Sequence, residues 1–217
     1  MTIYSKAGEA MAYRSQLSIV DEYGIALIVM TAGDMTAQPD LNNLVTSKFI
    51  PAIDKESRLQ TKAQYEKTFR SANGSVEITF CQDRDSLKLC SFHRDKFDLL
   101  KGWTDIWSMT VGQYGIPFSN NVRAFPSELS QQVRLDGREV NQDVWRLWPE
   151  LKPPPRGSLP GSDIFEGTCF AWSVGDWVHY GGEPLDRIVF YRDSHGEVVG
   201  VELPFLRAGV LKPKGCA

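Results

Sequence analysis

The chain has 217 residues, of which 42% are hydrophobic and 24% charged, with a formal net charge of −3. These values are ordinary for a soluble globular protein of one large or two small domains. The acidic balance, without a basic arm or stripe, argues against binding to nucleic acid or to an anionic membrane. No apolar run approaches the roughly 20 residues of a membrane-spanning helix.

The first part of the chain predicts a small sheet followed by a helix. Apolar runs separated by turn residues indicate three antiparallel strands within residues 1–34. The third run, residues 25–30, is apolar on both faces, as in a strand that is covered on both sides. Helical spacing over residues 41–65 predicts a helix with Asp40 as its N-cap and a kink or break at Pro51. We expect residues 1–66 to form one domain.

The second part, residues 67–217, predicts an antiparallel β-barrel. Residues 76–80 and 87–93 indicate a hairpin, and the aromatic-rich residues 99–114 fit a strand or a short helix equally. Residues 120–143 are polar and predicted to be rich in loops, and a proline-rich linker is expected at 152–157. Further strands are predicted at residues 144–148, 167–172, 185–191 and 198–203. The fold class is therefore α+β and mainly antiparallel, a three-stranded sheet plus a helix followed by a lipocalin-like barrel.

The four cysteines show neither zinc-site spacing nor a paired framework. In a symmetric hairpin with Phe80 opposite Leu87, Cys81 and Cys90 share a face but lie too far apart to bond. We therefore expect reduced thiols. Because the N-terminus lacks signal-peptide architecture, we expect a cytoplasmic protein in which the glycosylation sequon at residues 73–75 is unused.

The N-terminal strands carry a resemblance to a known family. Tyr4-Ser-Lys-Ala-Gly8, followed by residues 13–20 and 23–33, resembles one edge of the serine β-lactamase and penicillin-binding-protein fold. In that family a Lys-Thr-Gly strand lines the active site. Here Lys6-Ala7-Gly8 stands in its place, with Ala7 replacing the threonine.

The downstream half resembles the C-terminal region of fungal β-lactamase-like hydrolases. The similar segments are Cys169-Phe-Ala-Trp172, Tyr180-Gly-Gly-Glu-Pro-Leu-Asp186 and Val201-Glu-Leu-Pro-Phe-Leu-Arg207. The resemblance spans most of the chain but only the C-terminal part of such a protein. It implies that residues 1–66 are a remnant of the β-lactamase-like sheet and helix.

The sequence departs from this family at its chemistry. The family needs a serine three residues before a lysine, and none of the serines here has lysine at that position. Neither a Tyr-x-Asn nor a Ser-Asp-Asn motif is present. Serine-hydrolase chemistry is therefore not expected on this chain alone, and Lys6 is either a structural relic or a repurposed cation or base. The exposed sheet would need a cover: the barrel, a second copy in a homodimer, or the missing part of a parent enzyme.

Three side chains are candidate catalytic groups. His93 continues the predicted buried face of the hairpin, where it could act as a general acid or base; the alternative is a hydrogen-bonded histidine at the rim. Arg187 and Tyr191 share one face of their strand. If that face lines the lumen, they could polarise a substrate carbonyl; the alternative is an exterior polar face.

Aromatic side chains are abundant enough to line a pocket, with six tryptophans in the chain. Each could equally belong to the barrel core. The predicted substrate-binding residues are Trp103, Trp107, Trp172, Phe80 and Leu89.

These observations support three functional hypotheses. The first is a non-hydrolytic enzyme that binds an apolar, polyketide- or terpenoid-like molecule and steers its cyclisation or isomerisation in natural-product biosynthesis, without a cofactor or metal. The second is a non-catalytic ligand-binding or interaction lobe. The third is the C-terminal part of a β-lactamase-like hydrolase.

Overall fold

The computed structural model describes residues 2–34, 36–84, 86–110, 112, 118–151 and 178–215. Compactness divides the chain into unit 1, Met1–Leu59, and unit 2, Gln60–Ala217. The division lies inside a helix, whereas the predicted boundary after residue 66 lies just beyond its end. The linker at 152–157 and the strand at 167–172 fall outside the described residues.

Unit 1 contains the predicted three-stranded antiparallel sheet. Its strands β1 (Ile3–Ala10), β2 (Tyr13–Val20) and β3 (Ile25–Ala32) lie in chain order, and a 3-10 turn at Asp21–Tyr23 links the last two. Helix α1 (Ala37–Tyr65) follows and extends into unit 2. The helix continues through Pro51 without a break, since proline removes only one backbone hydrogen bond. Asp40 lies within the first turn of α1 rather than at its N-cap, which corrects the predicted start.

The described residues of unit 2 form a nine-stranded antiparallel sheet that closes on itself almost completely, which confirms the predicted barrel-like architecture. A bridge between Val201 and Leu211 joins its two ends. The strands are β4 (Thr68–Arg70), β5 (Val76–Gln82), β6 (Leu87–Arg94), β7 (Phe97–Asp98), β8 (Phe118–Leu135), β9 (Arg138–Leu151), β12 (Arg187–Arg192), β13 (Val198–Glu202) and β14 (Lys212–Pro213). Two short strands, β10 (His179–Tyr180) and β11 (Glu183–Pro184), pair separately, and a 3-10 turn spans Pro204–Leu206.

The structure decides the ambiguous segment of unit 2 and corrects the one that was predicted to be rich in loops. The ambiguous aromatic stretch forms helix α2 (Leu99–Thr110). The segment predicted to be rich in loops instead forms most of the long β8–β9 hairpin, in which Val133 pairs with Val140. Beyond residue 126, β8 is largely exposed and polar on both faces. The alternation of apolar and polar residues that reveals a half-buried strand is therefore missing there.

The barrel interior is filled by a single cluster of aromatic and aliphatic side chains. Phe190 of β12 lies near its middle, with ring centroids 5.0 Å from Tyr65, 5.2 Å from Phe80 and 5.2 Å from Trp145. These separations are those of favourable edge-to-face aromatic pairs. Helix α2 contributes Trp103 and Trp107 to the same cluster.

The β5–β6 hairpin has a different register from the symmetric one predicted. Phe80 pairs with Leu89, and the register then shifts, so that Thr79 pairs with Ser91 and Cys90 is the extra residue of a bulge. This brings the Cα atoms of Cys81 and Cys90 to 6.0 Å, within disulfide range, and the two residues form a disulfide bond. The expectation of two reduced thiols is wrong.

Among the described residues, no helix is both long enough and apolar enough to cross a lipid bilayer.

Candidate functional site

One face of the unit 1 sheet is apolar and exposed to solvent. The register aligns Tyr4 with Ile19, and Leu17 with Ile28. Tyr4 is 61% exposed and Ile28 is 67% exposed. This surface, called the outer face below, comprises Tyr4, Lys6, Gly8, Ala10, Tyr13, Ser15, Leu17, Ile19, Ala26, Ile28, Met30 and Ala32.

The opposite face of the sheet packs on the first part of α1. Ser18 and Val20 are buried there. Tyr23 donates a hydrogen bond to Asp54 at 2.7 Å. Burial, together with this bond to a carboxylate, raises the pKa of Tyr23 to about 12. Within the described residues of unit 1, the sheet is therefore covered on one side only, although the apolar sequence of β3 predicted cover on both.

Lys6 lies in the edge strand β1, where its backbone pairs with Leu17 in the middle of the outer face. Gly8, two residues on, pairs with Ser15, and a Cβ atom at Gly8 would lie 2.9 Å from Ser15 Oγ. The Ser15 hydroxyl thus crowds this position and favours glycine there. An open pocket of about 400 Å³ lies at this end of the sheet and includes Gly8, Tyr13 and Met30 in its wall.

The predicted catalytic residue His93 does not face the barrel interior. The bulge at Cys90 reverses the alternation of β6, so that Phe92 is buried and His93 is exposed. The backbone of His93 pairs with Glu77 on one side and Asp98 on the other. The predicted continuation of the buried face through Ser91 and His93 is wrong for this reason.

Arg187 and Tyr191 lie on the outer side of β12, because Ile188 and Phe190 occupy the interior. The Tyr191 hydroxyl donates to Glu202 at 2.6 Å and accepts a hydrogen bond from Gln142 at 3.3 Å. Burial, reinforced by the Glu202 carboxylate, raises the pKa of Tyr191 to about 12, so the phenol stays protonated near neutral pH. The exterior-face alternative is therefore the one the structure adopts, and a catalytic role for these two residues remains a prediction.

Four of the predicted substrate-binding side chains are packed into the barrel core. Phe80 is 0% exposed and Trp107 is 1% exposed, and Leu89 and Trp103 belong to the same cluster. The ring of Trp107 lies 4.7 Å from that of Trp148. Trp172 lies outside the described residues. The structure thus brings the four together as core rather than as a visible pocket wall.

An ionic cluster around the buried Arg123 was not anticipated from the sequence. Arg123 of β8 is 5% exposed and donates at 2.9 Å to both Asp83 and Glu150. Hydrogen bonds to Glu150, first from Asn121 and then from Arg123, hold the pKa of its carboxyl below the usual value despite opposing desolvation. Arg123 stands in a polar stretch, where no local pattern distinguishes a buried arginine from an exposed one.

The chain is similar in sequence to β-lactamase-like proteins. Residues 57–214 match the profile of a family described as Beta-lactamase-like-like, C-terminal domain. The chain is also 34% identical, over 97% of its length, to a Beta-lactamase-like protein from Arthroderma benhamiae.

The chain therefore belongs to this C-terminal domain family.

Two further relatives are named as probable hydrolases. The chain is 26% identical to Probable hydrolase clz13 of Cochliobolus lunatus and 24% identical to Probable hydrolase M10 of a Phoma species, in both cases over 93% of its length. It spans 38% of the Arthroderma protein and 32% and 33% of the other two. No solved structure gives a significant match. The matched C-terminal domain covers unit 2 and the end of α1, whereas most of unit 1 lies outside the matched residues and is covered by the similarity to the longer relatives.

Proposed function

We propose that this chain acts as the C-terminal part of a β-lactamase-like hydrolase. In this proposal unit 1 adds its three strands to the sheet of a catalytic domain supplied by preceding sequence, and unit 2 is an accessory barrel domain.

The observation that carries the proposal is the outer face of unit 1. Ile28 and Met30 are 67% and 76% exposed on adjacent positions of one strand face, and Tyr13 is 64% exposed beside them. Contiguous apolar surface of this kind marks an interaction site in soluble proteins. A three-stranded sheet with one helix also buries little apolar surface, so leaving a whole apolar face in water makes the unit marginally stable. The relatives are much longer than this chain, and in our proposal the additional sequence supplies the domain that covers the outer face.

Serine-hydrolase chemistry also requires catalytic groups from outside this chain. A serine nucleophile with a lysine three residues later is missing from the sequence, so the acyl-transfer step needs groups from elsewhere. What this chain offers is the β1 strand with Lys6 and Gly8, whose outer edge has no strand partner among the described residues. By the resemblance of Lys6-Ala7-Gly8 to the Lys-Thr-Gly strand, this edge would line the catalytic site of the assembled protein.

The alternative of a free-standing cyclase or isomerase stays a prediction with less support. Its predicted pocket residues Phe80, Leu89, Trp103 and Trp107 are occupied in packing against one another and their neighbours. Steering a flexible apolar substrate needs an enclosed cavity of some hundreds of Å³, and the barrel interior is filled in the part that the structure describes.

Reconstitution tests the proposal. The chain is mixed with the N-terminal portion of the Arthroderma relative that precedes the matched region, and association is followed by analytical ultracentrifugation. Hydrolysis is followed with a chromogenic β-lactam and a p-nitrophenyl ester. We expect a one-to-one complex, with hydrolysis of at least one probe by the complex and by neither part alone.

A pair of matched variants locates the contact. Ile28→Lys places a charge on the outer face and should abolish association, whereas Phe97→Lys changes an equally exposed apolar residue of unit 2 and should not. A homodimer of the chain that Ile28→Lys dissociates, with no binding of the N-terminal portion, would assign the outer face to a second copy and overturn the proposal.

A further inference from the structure

The turn between β4 and β5 contains the sequence Asn73-Gly74-Ser75 in a defined conformation. Asn73 is exposed at its tip, and Gly74 has φ +74°, a left-handed backbone angle that suits glycine. The amide oxygen Oδ1 of Asn73 accepts hydrogen bonds from the backbone N–H of Ser75 at 3.1 Å and from its hydroxyl at 2.8 Å. The hydroxyl of Ser71 donates to the same oxygen at 2.8 Å.

These contacts fix the orientation of the Asn73 side chain. A backbone N–H can only donate, so the atom facing Ser75 is the oxygen, and the nitrogen Nδ2 points the other way. Within the described structure, the side-chain hydrogen bonds of Asn73 all go to Oδ1. The nitrogen Nδ2 is therefore left available. The hydrogen bond that the Ser75 hydroxyl donates to Oδ1 polarises the side-chain amide of Asn73.

The rest of the turn is held without help from Nδ2. Ser71 Oγ accepts the backbone N–H of Val76 at 2.9 Å, and Arg70 Nε donates to the carbonyl of Gly74 at 3.3 Å. A bulky group on Nδ2 at the exposed tip would therefore leave these contacts intact.

A second, independent feature concerns the compartment in which the chain folds. Cys81 and Cys90 are joined in a disulfide on the neighbouring β5–β6 hairpin, where Cys90 is exposed and Cys81 is half-buried. Accessible structural disulfides persist in oxidising compartments and are rare in the cytosol. The disulfide thus favours the secretory route over the cytoplasmic location expected from the sequence, and this is the route on which asparagine is glycosylated.

We propose that Asn73 is an N-glycosylation site and that the chain matures in the secretory pathway. The co-substrate is an oligosaccharide linked to a lipid diphosphate. A bond forms between Asn73 Nδ2 and the anomeric carbon of the first sugar, and the bond from that carbon to the diphosphate oxygen breaks. The bonding electron pair stays on that oxygen, Nδ2 loses one proton to solvent, and the lipid diphosphate leaves. The Ser75 hydroxyl is the recognition element that makes Asn73 an acceptor. The relatives are fungal and thus eukaryotic, so their cells contain this chemistry.

The experiment uses the protein isolated from the cells that naturally produce it. Peptide mass spectrometry before and after peptide-N-glycosidase in ¹⁸O-labelled water should show conversion of Asn73 to ¹⁸O-labelled aspartate. Alkylation without reduction should leave Cys81 and Cys90 unlabelled, whereas alkylation after reduction should label both. Expressed in the same cells, Asn73→Gln and Ser75→Ala should lose the glycan, and Ser75→Thr should keep it.

Two results would overturn the proposal. An unmodified Asn73 in the native protein rejects the site, whether or not the disulfide is present. A glycan that persists in Ser75→Ala rejects the recognition role of the serine. Tryptophan fluorescence of each variant confirms that the loss of glycan does not come from failure of unit 2 to fold.

Discussion

Truncating Phe80 distinguishes a packed barrel from a ligand pocket. The side chain is fully buried, with ring centroids 5.2 Å from Phe190 and 6.3 Å from Phe69. Replacing a buried phenylalanine by alanine costs about 3–5 kcal/mol of unfolding free energy, and the loss of two edge-to-face contacts favours the upper part of that range. For a domain of this size each kcal/mol lowers the melting temperature by about 2–4 °C, so a loss of about 4–5 kcal/mol in Phe80→Ala should lower it by roughly 8–20 °C.

The assay can be confined to unit 2. All six tryptophans lie within residues 60–217, so intrinsic fluorescence during urea or thermal unfolding reports on that unit. The control is Phe97→Ala, which truncates a side chain that is 74% exposed and should change stability by no more than about 0.5 kcal/mol. A Phe80→Ala variant with stability close to that of the parent chain and weakened binding of an apolar ligand would refute the packed-core interpretation.

Three further outcomes follow from contacts in unit 2. A Cβ atom at Gly200 would lie 2.5 Å from Val210 Cγ1, so Gly200→Ala should destabilise the barrel by about 1–3 kcal/mol, and combining it with Val210→Ala should cost less than the sum in a double-mutant cycle. The lowered pKa of Glu150 contributes stability that is present above the ordinary pKa of 4.5 and is lost as pH falls through the folded-state pKa. Urea titrations at several acidic pH values should show this loss of stability, and the loss should be smaller in Glu150→Gln. Replacing Cys81 and Cys90 by serine opens a loop with a sequence separation of 9 and should cost up to about 3 kcal/mol in the same titrations.

The strands that carry a local sequence signal could be predicted. The β5–β6 hairpin begins with apolar residues at every second position, the strands of unit 1 are runs separated by turn residues, and the structure contains all of them. The β8–β9 hairpin could not be found in this way. Its distal half is solvated on both faces, and pairing such as Val133 with Val140 is a long-range property that no local pattern reports.

The candidate site residues show a sharper limit. The bulge at Cys90 decides that His93 faces outward, because one extra residue reverses every later side chain in the strand. Cys81 can reach Cys90 because Phe80 pairs with Leu89 and not with Leu87. Nothing in the sequence marks the bulge. The facing of β12 was likewise open, since Arg187 and Tyr191 alternate with residues as apolar as Ile188, and only the identity of the interior cluster settles the choice.

The two units use apolar surface in opposite ways, and this contrast bears on function. In unit 2 the predicted pocket residues that the structure describes, Phe80, Leu89, Trp103 and Trp107, are packed into the core. In unit 1 the apolar residues of three strands are aligned by register on one exposed face, and both edge strands lack a further strand partner among the described residues. Burying that face and pairing those edges would release apolar area and backbone groups from water together. A domain that continues the sheet does both, whereas a small ligand does neither, so these features of unit 1 favour the proposed hydrolase part over the free-standing cyclase.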